Sequence, residues 1–486
     1  MNVILVFSDT LRADFLGCYG NKWVHTPYIN RFAKEAIVFN RAHCGSFPTV
    51  PCRNDVFTGR WTLAYKPWAP LDDNEVVLAE VLNEAGYLTA LFADTPHPFA
   101  PGFNFQRGFQ AWELIRGQEN DRWKTAPQDV VFPCNPDKLR GGATGATYQY
   151  LRNVSRRQRE EDYFPAQTMR AAAEWLEENH KHPFFLYVDT FDPHEPWDPP
   201  AHYLARYEPQ GYAGEEVIYP RYDRWIDFMS EDELQHCRNL YAGEVSLVDR
   251  WFGFLMQRVE DLGILDETAI ILTTDHGFYL GEHGYIGKGV IRGGQWQALP
   301  LYPEVSRIPL IVRLPGGRGA HRSPALVQPV DIMPTILELL GVAVPDTVQG
   351  RSLVPVFDGK ENVRSFAVSS PTLSGSQIRV PHPATRATIT SDEWALVIGP
   401  QADQDAEVET TKQVDSLPRE VNVLLGPIEP ELYQLTTDPG CTQNVLSEHK
   451  ALARQMQTAF VAFLKRVDVR EDHLFFFTSV PPEMQD

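Results

Sequence analysis

Carboxylates and imidazoles recur along this chain in one repeating context. Asp9 and Thr10 follow an apolar run at residues 3–7, and Asp94, Thr95 and His97 follow another at 89–92. Asp189, Asp192 and His194 follow the run at 184–188, and Asp275 and His276 follow the run at 269–272. A buried strand end has no structural need for such groups, and ligands of parallel sheets gather at the carboxyl ends of strands. Any single Asp here could instead cap the helix that follows it. As a set, two Asp and one His suit a divalent cation of intermediate hardness. A cation so held can neutralise a bound oxygen and lower the pKa of a nucleophile.

The elements that must position these groups are legible in the spacing of apolar residues. The runs are continuous and rich in β-branched residues, which predicts buried parallel strands, and the run at 309–312 reads the same way. Residues 165–179 and 242–262 place apolar side chains at three- and four-residue intervals, and 331–340 adds a further helix. Strand-then-helix alternation predicts an α/β fold with a large doubly wound, mostly parallel sheet flanked by helices. Glu244 and Asp249 fall on the polar side of the 242–262 pattern and are expected in solvent. The irregular stretches 101–159 and 199–222 are expected to cover a binding site or to make subunit contacts.

Past residue 370 the pattern changes. A hairpin at 387–390 and 394–398, a strand at 432–435 and an amphipathic helix at 449–467 predict a smaller C-terminal α+β domain with a short antiparallel sheet. The chain then divides into 1–370 and 371–486. The aromatic tail at 473–480 (HLFFFTSV) is expected to pack on its own domain or on a second subunit, which would make a homo-oligomer.

Several segments together carry a family resemblance. They are VFSDTLRADFLGCYG at 6–20, Thr49-Val50-Pro51-Cys52-Arg53 with Thr58-Gly59-Arg60, TTDHG at 273–277, GEHG at 281–284 with Lys288, EVSRIPLIVRLPG at 304–316, VDIMPTILELLG at 330–341 and ELYQLTTDPG at 431–440. In these the chain resembles the sulfatase family of the alkaline phosphatase superfamily over nearly its whole length. The resemblance implies that Asp9, Asp275 and His276 ligate one divalent metal, with Thr10 a further ligand or near-ligand. It puts Thr49 at the nucleophile position and on the metal, and Arg53 beside it as its holder. His194 and Lys288 would bind the substrate's oxyanion and protonate the leaving oxygen. Histidine in the ligand set favours manganese or zinc, with calcium the alternative.

Two departures from the family pattern shift the expected substrate. Family members carry a cysteine, converted to formylglycine, where this chain has Thr49. Cys52 falls at the variable position before Arg53, and Ser46 has no Arg four residues on. A formylglycine hydrate expels sulfate through its second hydroxyl. Threonine has one hydroxyl, so its ester must be cleared by water. The second departure is Ala93-Asp94-Thr95-Pro96-His97, which lacks the lysine of a GKWH-like segment. Thr95, with the His276-to-Lys288 spacing, is similar to the phosphonate monoester and phosphodiester hydrolase branch, and would contact substrate. The expected activity is hydrolysis of a small anionic ester through a Thr49 covalent intermediate, leaning to phosphodiesters or phosphonate monoesters. The alternatives are a sulfuric ester hydrolase acting through Thr49, a transferase, and a non-catalytic relative that binds anions.

Composition bounds the remaining classes. The chain has 486 residues, 43% hydrophobic and 22% charged, which is globular composition with room for more than one domain. A net charge of −20 argues against a nucleic-acid surface. No export signal or membrane-length apolar run is present, so a cytoplasmic protein without a membrane partner is expected. The six cysteines have no CxxC spacing and are expected as reduced thiols. His25, His43 and His180 sit in no motif, and Trp68 and Trp197 are read as core or pocket rim.

Overall fold

The computed structural model describes every residue except 360, 361, 377, 379, 380, 383, 402–428 and 486. Strand β1 (Asn2–Ser8) is the centre of a nine-stranded sheet and shows why its sequence is apolar without alternation. Val3, Leu5 and Phe7 face one hydrophobic cluster, while Ile4 and Val6 face the other. Both faces are therefore covered, and each residue of the strand is buried.

Around β1 lie β2 (Ile37–His43), β3 (Leu88–Ala93), β4 (Ala111–Leu114), β5 (Phe184–Thr190), β6 (Thr268–Thr273), β7 (Leu310–Arg313) and β8 (His321–Val327). The order across the sheet is β2-β7-β6-β1-β5-β3-β4, with the short strand Arg307–Ile308 and β8 both paired to β2. The pairs β1/β5, β1/β6, β3/β5, β3/β4 and β2/β8 are parallel. The sheet is thus mostly parallel and helix-flanked, as the sequence predicts. One strand differs. β7, expected parallel like the others, runs antiparallel to both β2 and β6. An apolar run reports burial on two faces and carries no information about direction.

The principal helices are α1 (Pro27–Ala33), α2 (Thr49–Thr58), α3 (Phe164–Asn179), α4 (Glu231–Asp261) and α5 (Ile332–Leu339). Helix α4 starts eleven residues before the predicted 242, at a capping box in which Ser230 Oγ accepts from the Glu233 N–H and the Glu233 carboxylate accepts from the Ser230 N–H. Glu244 and Asp249 are buried in it, contrary to expectation. Each satisfies backbone donors of another element: Glu244 accepts the Asp198 N–H at 2.8 Å, and Asp249 accepts Tyr28 and Ile29 N–H at 3.2 and 2.7 Å. Their side chains cap neighbours across the interior instead of facing water.

The C-terminal part is an antiparallel sheet of β9 (Ala367–Ser369), β10 (Ala387–Thr390), β11 (Trp394–Ile398) and β12 (Glu431–Gln434), packed against α6 (Lys450–Arg466). The aromatic tail forms α7 (Glu471–Thr478), whose His473, Leu474 and Phe477 are buried with Phe460 and Phe463 of α6. These three side chains of the tail pack on the same chain, while Phe475 remains exposed. All six cysteines are free thiols. No helix among the described residues is long and apolar enough to cross a membrane.

Candidate active site

Helix α2 begins at Thr49 and carries Arg53 one turn later, so the two side chains face the same carboxyl end of the sheet. Every residue of α2 is buried. The Arg53 guanidinium reaches three carboxylates from three strand ends. Nε and Nη2 form a fork on Asp189 at 2.7 Å each, while Nη1 lies 2.9 Å from Asp275 Oδ2 and 3.1 Å from Asp9 Oδ2. Nη1 also donates to the Thr49 carbonyl at 3.2 Å, and the guanidinium lies over the Phe7 ring. A fully buried cation so fixed needs this many acceptors.

Asp9 follows β1 and Asp275 follows β6, and one ligand atom from each of Asp9, Asp275 and His276 lies within 4.8 Å of the others. Asp275 Oδ1 accepts the Thr10 and His276 N–H groups at 3.0 and 2.9 Å. Thr10 has φ of 60°, a left-handed conformation that a β-branched residue rarely adopts. That turn lets its hydroxyl donate to Asp9 Oδ1 at 2.7 Å. His276 Nδ1 lies 3.0 Å from the Gly277 carbonyl, which only an Nδ1–H can satisfy, so Nε2 carries the lone pair.

These donors fit a divalent cation on two counts. Asp9 Oδ2 is buried without a hydrogen bond, since its 3.1 Å approach to Arg53 is not aligned as one. Burial, and then the neighbouring Asp275 carboxylate, hold the Asp9 carboxyl well above the usual range. Burial also drives His276 down to about 3, with Lys288 pushing the same way against Asp275, which keeps its imidazole neutral and able to ligate.

In front of this cluster is a pocket of about 560 Å³ whose wall includes Thr49, His194 and Lys288. Lys288 Nζ is 3.0 Å from His194 Nε2 and 3.3 Å from His276 Nε2. His194 Nδ1 faces the Glu195 carbonyl at 2.7 Å, so this ring too is an Nδ1–H tautomer whose Nε2 accepts from the lysine. Burial and then Lys288 hold His194 well below the ordinary imidazole range. Thr95 is placed differently from the sequence-based expectation. It is fully buried, donates to Asp189 Oδ1 at 2.7 Å, and lies behind Arg53, outside the pocket wall.

Sequence reasoning missed Arg140, Glu119, Trp296 and Phe47 at this pocket, whereas His97 and Trp68, read from the sequence as a strand-end group and a rim candidate, do line it. Arg140 pairs with Glu119 and, at 3.3 Å, with Glu195, and its guanidinium lies 4.8 Å from the Tyr222 ring centroid. His97 faces Glu119 at 3.1 Å. Trp68, Trp296 and Phe47 supply apolar wall, whereas Trp197 is buried core. Arg140 and Glu119 belong to the irregular 101–159 stretch, part of which lines this pocket. No period or motif singles them out there.

Comparison with known proteins places the chain in a family. Residues 1–342 match the family model described as Sulfatase. The multifunctional alkaline phosphatase superfamily protein PehA of Trinickia caryophylli is 26% identical over 415 residues, which span 73% of this chain and 76% of that protein. The N-acetylglucosamine-6-O-sulfatase of Bacteroides thetaiotaomicron is 24% identical over 433 residues, 74% of this chain and 71% of that protein. The crystal structure of the phosphonate monoester hydrolase of Agrobacterium radiobacter superposes with a TM-score of 0.69 at 22% identity, over 97% of this chain and 96% of that one. At that identity the likeness is one of fold.

Proposed function

The chain belongs to the sulfatase family and is an ester hydrolase, and we propose that it is metal-dependent, uses Thr49 as a covalent nucleophile, and prefers phosphodiester or phosphonate monoester monoanions. The observation that carries this reading is the placement of Thr49 at the first position of α2, in the pocket wall, with Arg53 of the same helix bridging to Asp9 and Asp275.

Asp9, Asp275 and His276 would hold a divalent cation, with Thr10 bracing Asp9, and the cation would supply positive charge that favours an ionised nucleophile. The chain's own residues do the rest. The N-terminal end of α2 favours negative charge on Thr49 Oγ1. Arg53 fixes the helix against the three carboxylates. Thr49 releases its hydroxyl proton to solvent, its oxygen attacks phosphorus in line, and the bond to the leaving alcohol or phenol breaks. Lys288 protonates that leaving oxygen, because the lone pair of His194 Nε2 is engaged by the lysine and its ring is held neutral. His194 orients Lys288, whose remaining N–H groups are left for the oxyanion side of the ester; with its one N–H on the Glu195 carbonyl and its Nε2 lone pair on the lysine, His194 itself has no donor for it. Water then attacks the phosphorus of the Thr49 ester and breaks its bond to Thr49, giving one proton back to Lys288 and restoring the Thr49 hydroxyl.

Charge matching supports a monoanion. Arg140 and His97 are matched by Glu119 and Glu195, while Lys288 makes no ion pair among the described residues. Among the described residues Lys288 is then the one pocket cation left to face substrate beside a metal, too little for a dianionic phosphate monoester. Sulfate monoesters are monoanions as well, so Thr49 decides between them: its single hydroxyl cannot eject sulfate as a formylglycine hydrate does. The test is a panel of aryl phosphodiester, aryl phosphonate monoester, aryl phosphate monoester and aryl sulfate given to the metal-replete protein. The first two are expected to turn over fastest. Preference for sulfate would overturn the substrate assignment, and silence on all four with metal bound would leave an anion-binding relative.

A further inference from the structure

Three arginines from separate segments line one small cavity of about 60 Å³. Arg351 stands in the loop after α5, Arg364 lies shortly before β9, and Arg466 is the last residue of α6. The wall also includes Trp61, just past the end of α2. The Trp61 ring meets Phe463 of α6 edge-on at 5.1 Å and lies 5.7 Å from the Arg364 guanidinium. The cavity therefore sits on the seam between the part of the chain that carries α2 and the C-terminal helix.

A single carboxylate serves the three, and both of its oxygens are engaged. Arg364 pairs with Asp331 and donates to Gln328 Oε1 at 3.2 Å. Asp331 Oδ1 also accepts the Arg351 backbone N–H at 2.9 Å, and Oδ2 accepts the Gln328 N–H at 2.9 Å. Among the described residues the Arg351 guanidinium uses only Nη1, on the Val363 carbonyl, and forms no ion pair. Arg466 makes no hydrogen bond or ion pair among them; its guanidinium lies over the Phe463 ring. Burial first, then Arg351 and Arg364, hold the Arg466 guanidinium below its ordinary value, and no carboxylate pulls the other way. The end of α6 favours a cation at Arg466, but it supplies no countercharge to Arg351. A chain of net charge −20 has acids in excess, yet it leaves two guanidinium charges at this cavity without one. Arg351 and Arg466 are exposed, so their free N–H groups are open to a solute.

We propose that this cavity binds a tetrahedral dianion, sulfate or hydrogen phosphate, held by Arg351 and Arg466 beside the Arg364–Asp331 pair. Charge and size select the ligand. The Arg364–Asp331 pair is neutral in sum, which leaves two positive charges to match. A cavity this small takes an inorganic oxyanion and has no room for an organic body. A guanidinium fork donates to two oxygens of such an ion at once. The site shares no residue with the reaction pocket and does not depend on Thr49 or on a metal. Its ligand bridges the loop after α5, the segment before β9 and the end of α6, so it ties the C-terminal helix to the rest of the chain.

Thermal unfolding of the full-length protein tests the assignment, with sulfate and phosphate as dianion probes, formate as a monoanion, and ionic strength matched with chloride. Low millimolar sulfate is expected to raise the wild-type Tm by a few degrees and to saturate, phosphate to do the same, and formate to do little. Either dianion can also enter the reaction pocket, so the decisive comparison is with Arg351→Gln and Arg466→Gln, which leave that pocket intact. Each variant is expected to lose most of the saturable shift and to keep ester hydrolysis within about twofold of wild type, as surface substitutions do. Both residues are exposed, and if one variant does not fold the other carries the comparison. Absence of a saturable shift with both dianions overturns the proposal, as does an equal response to formate. So does a shift that both variants retain in full, which would assign it to the reaction pocket or to general exclusion of salt from the protein surface.

Discussion

At the scale of single residues, one hydroxyl carries the proposed chemistry. Thr49→Ala removes it while leaving the metal donors in place. Turnover is expected to fall by at least about 10³-fold, with divalent cation still bound by calorimetry. Thr49→Ser is expected to retain activity; full activity in the alanine variant would reject the nucleophile. A second residue-scale expectation concerns His43, whose ring is buried with Nδ1 unpartnered. Burial first, then Arg307 and Arg41, push it down to about 3. Its unfolded value is near 6.5, so between these limits the unfolded chain binds more protons and the fold loses stability as pH falls from about 6.5 toward 3. His43→Gln is expected to flatten that limb of the pH–stability curve by up to about 1.4 kcal/mol per pH unit; an unchanged slope would mean that His43 titrates freely.

At the scale of elements, the helices that hold the site differ in how they declare themselves. Helix α4 is amphipathic at its carboxyl half and was legible there, but residues 231–241 are polar-rich, and only the Ser230-x-x-Glu233 capping box marks the true start. Its Asp249 caps α1 from a distance in sequence. Asp249→Ala leaves the Tyr28 and Ile29 amide groups without their acceptor and is expected to cost about 1–3 kcal/mol in urea unfolding. Loss of much less would place water at that cap. Helix α2 is buried on all sides, and a helix with no solvent face has no amphipathic period to detect. The motif around Thr49 was therefore visible while the helix beneath it was not.

At the scale of the whole molecule, the site is a junction between distant parts of the chain. Asp9 and Asp275 stand just past the ends of adjacent strands, β1 and β6, and Arg53 ties both to Asp189 at the end of β5. With two facing carboxylates in the interior, a bound cation stabilises the native state alone, by about 2.7 kcal/mol at a hundredfold excess over Kd. Chelation is expected to lower Tm, and Asp9→Asn, which removes both a ligand and the repulsion, to shrink that response. Equal chelator sensitivity in both proteins would place the cation elsewhere.

The sequence by itself determined the mostly parallel sheet, the positions of its central strands, the C-terminal hairpin, the family, and the residues Asp9, Thr49, Arg53, His194, Asp275, His276 and Lys288 as a candidate set. Apolar runs and ordered motifs are local properties, written in consecutive residues. Tertiary structure alone decided the direction of β7, the burial of Glu244 and Asp249, the retreat of Thr95 behind Arg53, the seat of the aromatic tail, and the arrival of Arg140 and Glu119 at the pocket. Each of these depends on which surfaces meet across long sequence separations. Whether a polar side chain finds water, a buried partner or a substrate is settled by the neighbours that folding brings to it.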